Sequence, residues 1–304
     1  MYFSRVHEFR CVLALSACLL SCGRAHEPHA ATSRDDAAAR SPAALSQSPS
    51  ASRESAHVAR RSSGATQTAI YTASERQAPE QLASCPDEMV PVRGYCIDRY
   101  EAYVVELDDQ DREHPHSPYT SVDGLRVRAK VAAGVVPQGY ISQVQAESAC
   151  RNAGKRLCTA AEFSLACRGP DPKASYPYGG KQRKPGKCNE GKGSAVSVIF
   201  GAAANYGSSQ LNDPRLNQWP GGLAKTGAYA ESESPFGVFD LVGNLHEWSA
   251  EVNANGHGNF RGGFYGDAEV NGSGCDYVTK AHSSNYHDYS TGFRCCRDAR
   301  SESE

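Results

Sequence analysis

The sequence predicts an α+β domain with much irregular structure, and three observations carry that prediction. Met89, Val90, Val92, Tyr95 and Ile97 give strand character to both sides of an Arg93-Gly94 turn. Two later segments carry helix-start signatures, Ser142 with Gln145 and Thr159 with Glu162. Residues 170–235, rich in Gly, Pro, Asn and Ser, show no regular signal, and a long irregular region in a compact domain usually needs bridges or ions to hold it.

The bulk numbers narrow the class of protein. A formal net charge of -2 over 304 residues leaves no basic footprint for a nucleic acid, so none is expected as partner. The chain has 12 Cys and only 2 Met, a thiol density that a reducing cytosol does not favour. No Cys-x-x-Cys pair occurs, which argues against a zinc framework and for disulfides in an oxidising compartment.

The beginning of the chain agrees with export. Residues 1–22 read as a signal, with Arg5 and Arg10 at the start and an apolar core from Cys11 to Ser21 too short to span a bilayer. Leu19-Leu20-Ser21-Cys22-Gly23 resembles a bacterial lipobox, which makes Cys22 the expected lipidated residue and the membrane a partner through that anchor. Leu15-Ser16-Ala17-Cys18 fits the same pattern but leaves a very short core, and a plain secretory signal is the alternative. On lipoprotein resemblance, Gly23 after Cys22 is compatible with outer-membrane sorting. Residues 23–84 hold Ala, Ser, Arg, His and Pro with almost no large apolar side chain, so they read as a flexible tether. Its r.m.s. reach would be roughly 45 Å.

The folded unit is expected over 85–298, with a polar tail at 299–304. Cys85 and Cys96 are placed to close the first hairpin. Residues 108–118, with His114 and His116 flanking a Pro, read as a solvated loop. The first helix should run through Ala153 to a left-handed stop at Gly154, the second to Arg168-Gly169. Then comes Pro235–Trp248, an apolar run (Val238, Phe239, Leu241, Val242) opening into a Gly243-Asn244 turn and closing on Glu247-Trp248. The carboxylates of Asp240 and Glu247 with the carbonyls of Gly243 and Leu245 make an all-oxygen set suited to Ca²⁺. The spacing lacks the full calcium-loop signature and fits equally a buried strand followed by a turn, with Glu247 in ordinary hydrogen bonds.

Five ordered pieces between Cys85 and Asp298 give the chain a family resemblance: Asp98-Arg99-Tyr100-Glu101; Gly154-Lys155-Arg156-Leu157 leading into Thr159–Phe163; Tyr176-Pro177-Tyr178-Gly179; Gly243-Asn244-Leu245-His246-Glu247-Trp248; and Arg261-Gly262-Gly263 with Gly292-Phe293-Arg294-Cys295. The chain resembles the formylglycine-generating enzymes, also called sulfatase-modifying factors. That resemblance implies a single α+β domain, distantly C-type-lectin-like. It also implies a calcium site at Asp240, Gly243, Leu245 and Glu247, with Asp240 where Asn is frequent. A second calcium site would begin at Asn189 and the carbonyl of Glu190, its other ligands falling in the chain's own Leu211–Trp219 segment. Cys150 matches a family Cys paired with the one at Cys295. Cys167 matches another bridge Cys, but Lys280 stands at its usual partner's position, so Cys188, Cys275 or another must serve. The domain has an odd number of Cys, so at least one stays unpaired in a monomer.

The family's chemistry is oxidation of a substrate Cys to formylglycine by O₂ at a Cu(I) ion held by two Cys. Here the first copper position is Asp267, a hard ligand, and Cys275 falls at the second. One thiolate does not make a two-coordinate Cu(I) site, and Cys275 is also a candidate disulfide partner. A related branch, the iron-dependent sulfoxide synthases, carries a His-x-x-x-His-x-Glu motif that this chain lacks. His282, His287 and Asp288 can be imagined as a facial triad for iron near Cys275, and a Cys-His nucleophile lacks a group to orient its base. The expectation is therefore an envelope-anchored, calcium-stabilised binding or accessory module for a peptide or glycan, using neither copper nor iron. The alternative is a metal-dependent oxidoreductase acting on a thiol or protein Cys, built from Cys275 with His282, His287 or Asp267.

Overall fold

The structure, a computed structural model, describes residues 85–202 and 206–299. The export signal, the tether, Cys22 and residues 300–304 lie outside the described residues. The strands, numbered in chain order, form three small sheets. Strands β1 (Met89–Val92) and β2 (Tyr95–Asp98) make the expected hairpin, Val92 opposite Tyr95. Both turn residues are left-handed, Arg93 at φ 35° and Gly94 at φ 92°, the geometry that matches the twist of a two-residue hairpin. Cys85 bonds to Cys96 across it.

A second sheet sets β3 (Tyr103–Leu107) between β4 (Glu113–Pro115) and β5 (Val127–Lys130). Strand β4 corrects the reading of 108–118 as a loop throughout: its three residues are exposed and polar, so no apolar alternation announced it. Helix α1 (Gln143–Asn152) and helix α2 (Ala160–Arg168) flank β6 (Arg156–Leu157). Both helices start on the reciprocal caps that the sequence predicts, with Glu162 Oε2 accepting from the Thr159 N–H at 2.8 Å and Gln145 Oε1 from the Ser142 N–H at 2.9 Å.

The third sheet has the order β10-β7-β8-β9, from β7 (His246–Val252), β8 (Gly258–Arg261), β9 (Val278–Thr279) and β10 (Thr291–Phe293). The run 238–242 is buried except for the half-buried Phe239, but it is not a strand; the strand follows the turn instead of preceding it. Last, β11 (Cys295–Asp298) inserts between β2 and β6, closing the first sheet in the order β1-β2-β11-β6. Two disulfides converge there, Cys150–Cys295 and Cys158–Cys296, and a third long-range bridge joins Cys167 to Cys275.

Two apolar clusters take in these bridges, Cys158–Cys296 and Cys167–Cys275 in one and Cys150–Cys295 in the other. One packs Phe163 and Ala166 of α2 on Val92, Ile97, Val238 and Leu241. The other packs Ala146 and Ala149 of α1 on Trp248, Phe260 and Phe293. Residues 170–235 contain two short helices, α3 (Ala195–Phe200) and α4 (Ser208–Leu211), and one Cys, Cys188, that forms no disulfide. Apolar packing anchors this region: Ala195, Val196 and Leu216 join Tyr140, Tyr265 and Tyr289 in a third, ring-rich cluster. A long irregular segment with few backbone ladders still becomes ordered when such side chains leave water together.

Candidate functional site

The Gly243-Asn244 turn is the most tightly specified point in the chain. Asp240, Gly243 and Asn244 all have left-handed backbones, at φ 63°, 80° and 57°. Non-glycine residues hold that conformation when their surroundings over-determine it. Those surroundings are visible: the Asn244 N–H donates to the Asn189 carbonyl at 2.8 Å, and its Oδ1 accepts from Asn189 Nδ2 at 2.8 Å and from the Ala224 N–H at 2.9 Å. A Cβ on Gly243 would lie 2.1 Å from the Asn189 carbonyl oxygen, so only glycine fits. The two oxygen sets read separately in the sequence therefore adjoin, Asn189 bridging directly to Gly243.

Around this turn lies an excess of buried negative charge. Glu247 is forked by Arg294, each carboxylate oxygen 2.6 Å from a guanidinium nitrogen. Asp98 accepts from Lys155 at 2.7 Å and from the Cys295 N–H at 2.9 Å. Glu101 accepts from the Leu245 N–H at 3.0 Å and from the Asn244 side chain, and Asp240 from the Gly227 N–H at 2.7 Å. Burial, then the neighbouring Asp240 and Glu247, push the Glu101 carboxyl well above its usual range. Burial likewise pushes Asp240 up to about 6. Among the described residues, only Lys155 and Arg294 answer these four carboxylates with direct ion pairs, at Asp98 and Glu247, and none reaches Glu101 or Asp240.

A hard cation fits that chemistry. The donors are all oxygens, the buried charge is unbalanced, and the buried Asn189 Oδ1 has no hydrogen-bond partner. Both Glu247 oxygens already serve Arg294, one contact each, which leaves each a second lone pair for an ion. Among the described residues no three His, Cys, Asp or Glu side chains converge as a metal-binding group. Cations here would lean on the carbonyls of Gly243 and Leu245 at one site and of Glu190 at a second.

The oxidation site of the sequence reading is dispersed. Cys275 is bonded to Cys167 and offers no thiolate, which corrects its candidacy as copper ligand or nucleophile. Asp267 caps its own turn, accepting from the N–H groups of Glu269 and Val270 at 3.0 and 3.1 Å. His287 turns to Asn212 and Asp123, its Nδ1 2.7 Å from Asn212 Oδ1. His282 lies between the rings of Phe260 and Tyr286, centroids 5.4 and 4.1 Å away. The imagined triad of His282, His287 and Asp288 is thus not assembled.

A different constellation surrounds a cavity of about 240 Å³ that sequence reasoning missed. Rings of Phe260, Phe264, Tyr277, Tyr286 and Tyr289 wall it, with His246, His282, Ser290 and Asp288 among them. Ser290 Oγ donates to Asp288 Oδ1 at 2.7 Å, so it accepts from His246 Nδ1, 3.1 Å away. That fixes the tautomer and leaves His246 Nε2 as an acceptor, 3.3 Å from the Tyr277 hydroxyl. Burial pushes the His246 imidazole down to about 3, so the ring is neutral. These residues come from two strands, β7 and β8, and from the loops at 264, 277 and 282–290, with no spacing to group them. His246 lies inside the Gly243–Trp248 motif, where nothing in the spacing sets it apart.

The fold and this turn define a member of the sulfatase-modifying-factor class. Residues 55–299 match the model of the sulfatase-modifying factor enzyme 1-like domain, and the chain belongs to that family. A search of the curated proteins found no match. Among solved structures, the chain is similar to PvdO from Pseudomonas aeruginosa at 17% identity, covering 67% of this chain and 80% of that one, TM-score 0.41. It is also similar to the Major Tropism Determinant I1 variant, at 15% identity over 71% of this chain and 54% of that one, TM-score 0.40. For Treponema denticola variable protein 1 the figures are 13%, 71%, 93% and 0.38. Likenesses this distant carry no functional weight.

Proposed function

We propose that this chain is an envelope-anchored binding or accessory module of the sulfatase-modifying-factor family that does not carry out copper-dependent Cys oxidation. The observation that carries the reading is the bond between Cys167 and Cys275, together with Asp267 at the other copper position. Two-coordinate Cu(I) needs two soft sulfur ligands, and these positions supply a carboxylate and an oxidised sulfur. The ring-walled cavity supplies a place for a ligand group, in keeping with a peptide or glycan partner.

Calcium belongs to the same reading as a structural ion. Asp240 and the carbonyls of Gly243 and Leu245 would hold it, with Glu247 sharing its charge between the ion and Arg294, and Asn189 with the carbonyl of Glu190 would begin a second site. Ions there would neutralise the surplus of buried carboxylates and stiffen the turn and the 189–190 segment that bridges to it. Anchoring through Cys22 at the outer membrane completes the proposal.

The full chain, loaded with Cu(I) and offered a Cys-containing sulfatase peptide, tests the core of it. The expected result is no stoichiometric copper and no aldehyde. Stoichiometric Cu(I) with aldehyde formation overturns the reading.

A further inference from the structure

We propose that the cavity between β8, β9 and the 282–290 segment binds a primary alkylammonium group, the side chain of a lysine being the natural example. The inference rests on reading the domain as a binding module and names the chemistry of what it binds.

The first observation is a carboxylate without a counter-ion. Asp288 lines the cavity and is only 6% exposed, yet no Lys, Arg or His forms an ion pair with it among the described residues. Of the other buried carboxylates, Asp98, Glu190 and Glu247 hold Lys155, Arg183 and Arg294 respectively, and Glu101 and Asp240 sit together at the turn assigned to calcium. Buried charges are ordinarily paired, because desolvation without a partner is costly. Asp288 accepts from the Ser290 N–H at 2.8 Å, from Ser290 Oγ at 2.7 Å and from the Tyr286 hydroxyl at 2.5 Å. A carboxylate has about four lone-pair sites, so one acceptor position and the whole negative charge remain.

The second observation is the rest of the lining. No Lys or Arg contributes to it, so an anionic ligand would meet Asp288 with no compensation. The walls are aromatic rings, and an aromatic face attracts a cation. His246 Nε2 is a second acceptor, engaged only by the long contact of 3.3 Å from Tyr277. A neutral sugar leaves the charge unanswered, and a quaternary ammonium has no N–H for either acceptor. A primary ammonium answers the charge, the rings and both acceptors at once. The cavity, at about 240 Å³, has room for such a head and a short alkyl stem.

The test titrates the full chain with n-butylammonium and with n-butanol, its uncharged counterpart, following backbone amide shifts at His246, Tyr277, Asp288 and Ser290. Butylammonium should bind at least tenfold tighter than butanol, and tetramethylammonium should bind more weakly than butylammonium. Asp288→Asn should bring butylammonium down to the butanol level. Tyr277→Phe, which releases His246 Nε2, should tighten butylammonium, the charged donor, more than butanol; it decides the matter if the Asp288 variant does not fold. Equal affinity for amine and alcohol, or an indifferent Asp288→Asn, overturns the proposal. Tetramethylammonium binding as tightly as butylammonium overturns the assignment to a primary amine. The copper and aldehyde assay reads the module assignment separately, so either conclusion can fail without the other.

Discussion

Arg294 and Glu247 face each other as a closed fork, both carboxylate oxygens 2.6 Å from guanidinium nitrogens and neither side chain more than 2% exposed. The same guanidinium donates to the carbonyls of Asp98 at 3.1 Å and Phe239 at 2.8 Å, so one side chain gathers three separate segments. Removing one partner strands a buried charge. Arg294→Met should therefore cost about 3–5 kcal/mol in urea unfolding, and adding Glu247→Leu should recover part of the loss.

The bridge from Cys150 to Cys295 spans a sequence separation of 145 and ties α1 to β11. In the loop-entropy account a bridge of that span stabilises by about 5 kcal/mol. Replacing both residues with Ala should lower stability by up to that amount, measured under non-reducing conditions so that the other bridges stay intact.

Calcium removal should be visible as a stability change. If the ion binds the folded chain alone, calcium at a hundred times its dissociation constant adds about 2.7 kcal/mol. Chelation should then lower Tm, calcium and not magnesium should restore it, and Asp240→Ala should remove the response.

The neutral His246 makes a pH prediction whose sign follows from linkage. Its folded pKa lies near 3 against 6.5 for a free imidazole, so below pH 6.5 the unfolded chain takes up a proton that the folded chain refuses. Stability from this group is fully present above pH 6.5 and is lost as the pH falls towards 3. Between pH 7 and 5 the loss should be about 2 kcal/mol, seen in urea midpoints at each pH and absent in His246→Gln.

Cys188 should prove the one unbridged cysteine of the nine in the domain. Burial pushes its thiol up to about 12, and it contacts Ser232 inside the core. A thiol reagent at pH 8 should leave it untouched in the native protein and label it alone, by peptide mapping, after denaturation without reductant.

The legible parts of the molecule were those fixed by short-range chemistry. Thr159 with Glu162 and Ser142 with Gln145 state a helix start within four residues, and Arg93-Gly94 states a hairpin within two. The strand His246–Val252 was misplaced because the apolar run before it, Val238 to Val242, has a strand's hydrophobicity without its ladder. The turn site was half legible: Asp240 and Glu247 lie close in sequence, but Glu101 and Arg294 reach them from 139 and 54 residues away from Asp240. The cavity was illegible for the same reason. Nothing local connects His246, Tyr277 and Asp288; the parallel pairing of β10 with β7 brings the 288–290 turn beside His246.

Strands β2 and β11 lie side by side, Ile97 opposite Cys296, and the Ala299 N–H reaches the Gly94 carbonyl at 3.2 Å. Cys85, bonded to Cys96 of β2, therefore lies close to the β11 end, and the first and last described residues share one corner. The domain can be spliced into a host loop, or re-circularised with new ends cut at an exposed bend, without unthreading its interior. Whatever sequence is fused before or after it departs from one corner, leaving the remaining faces free to meet other molecules.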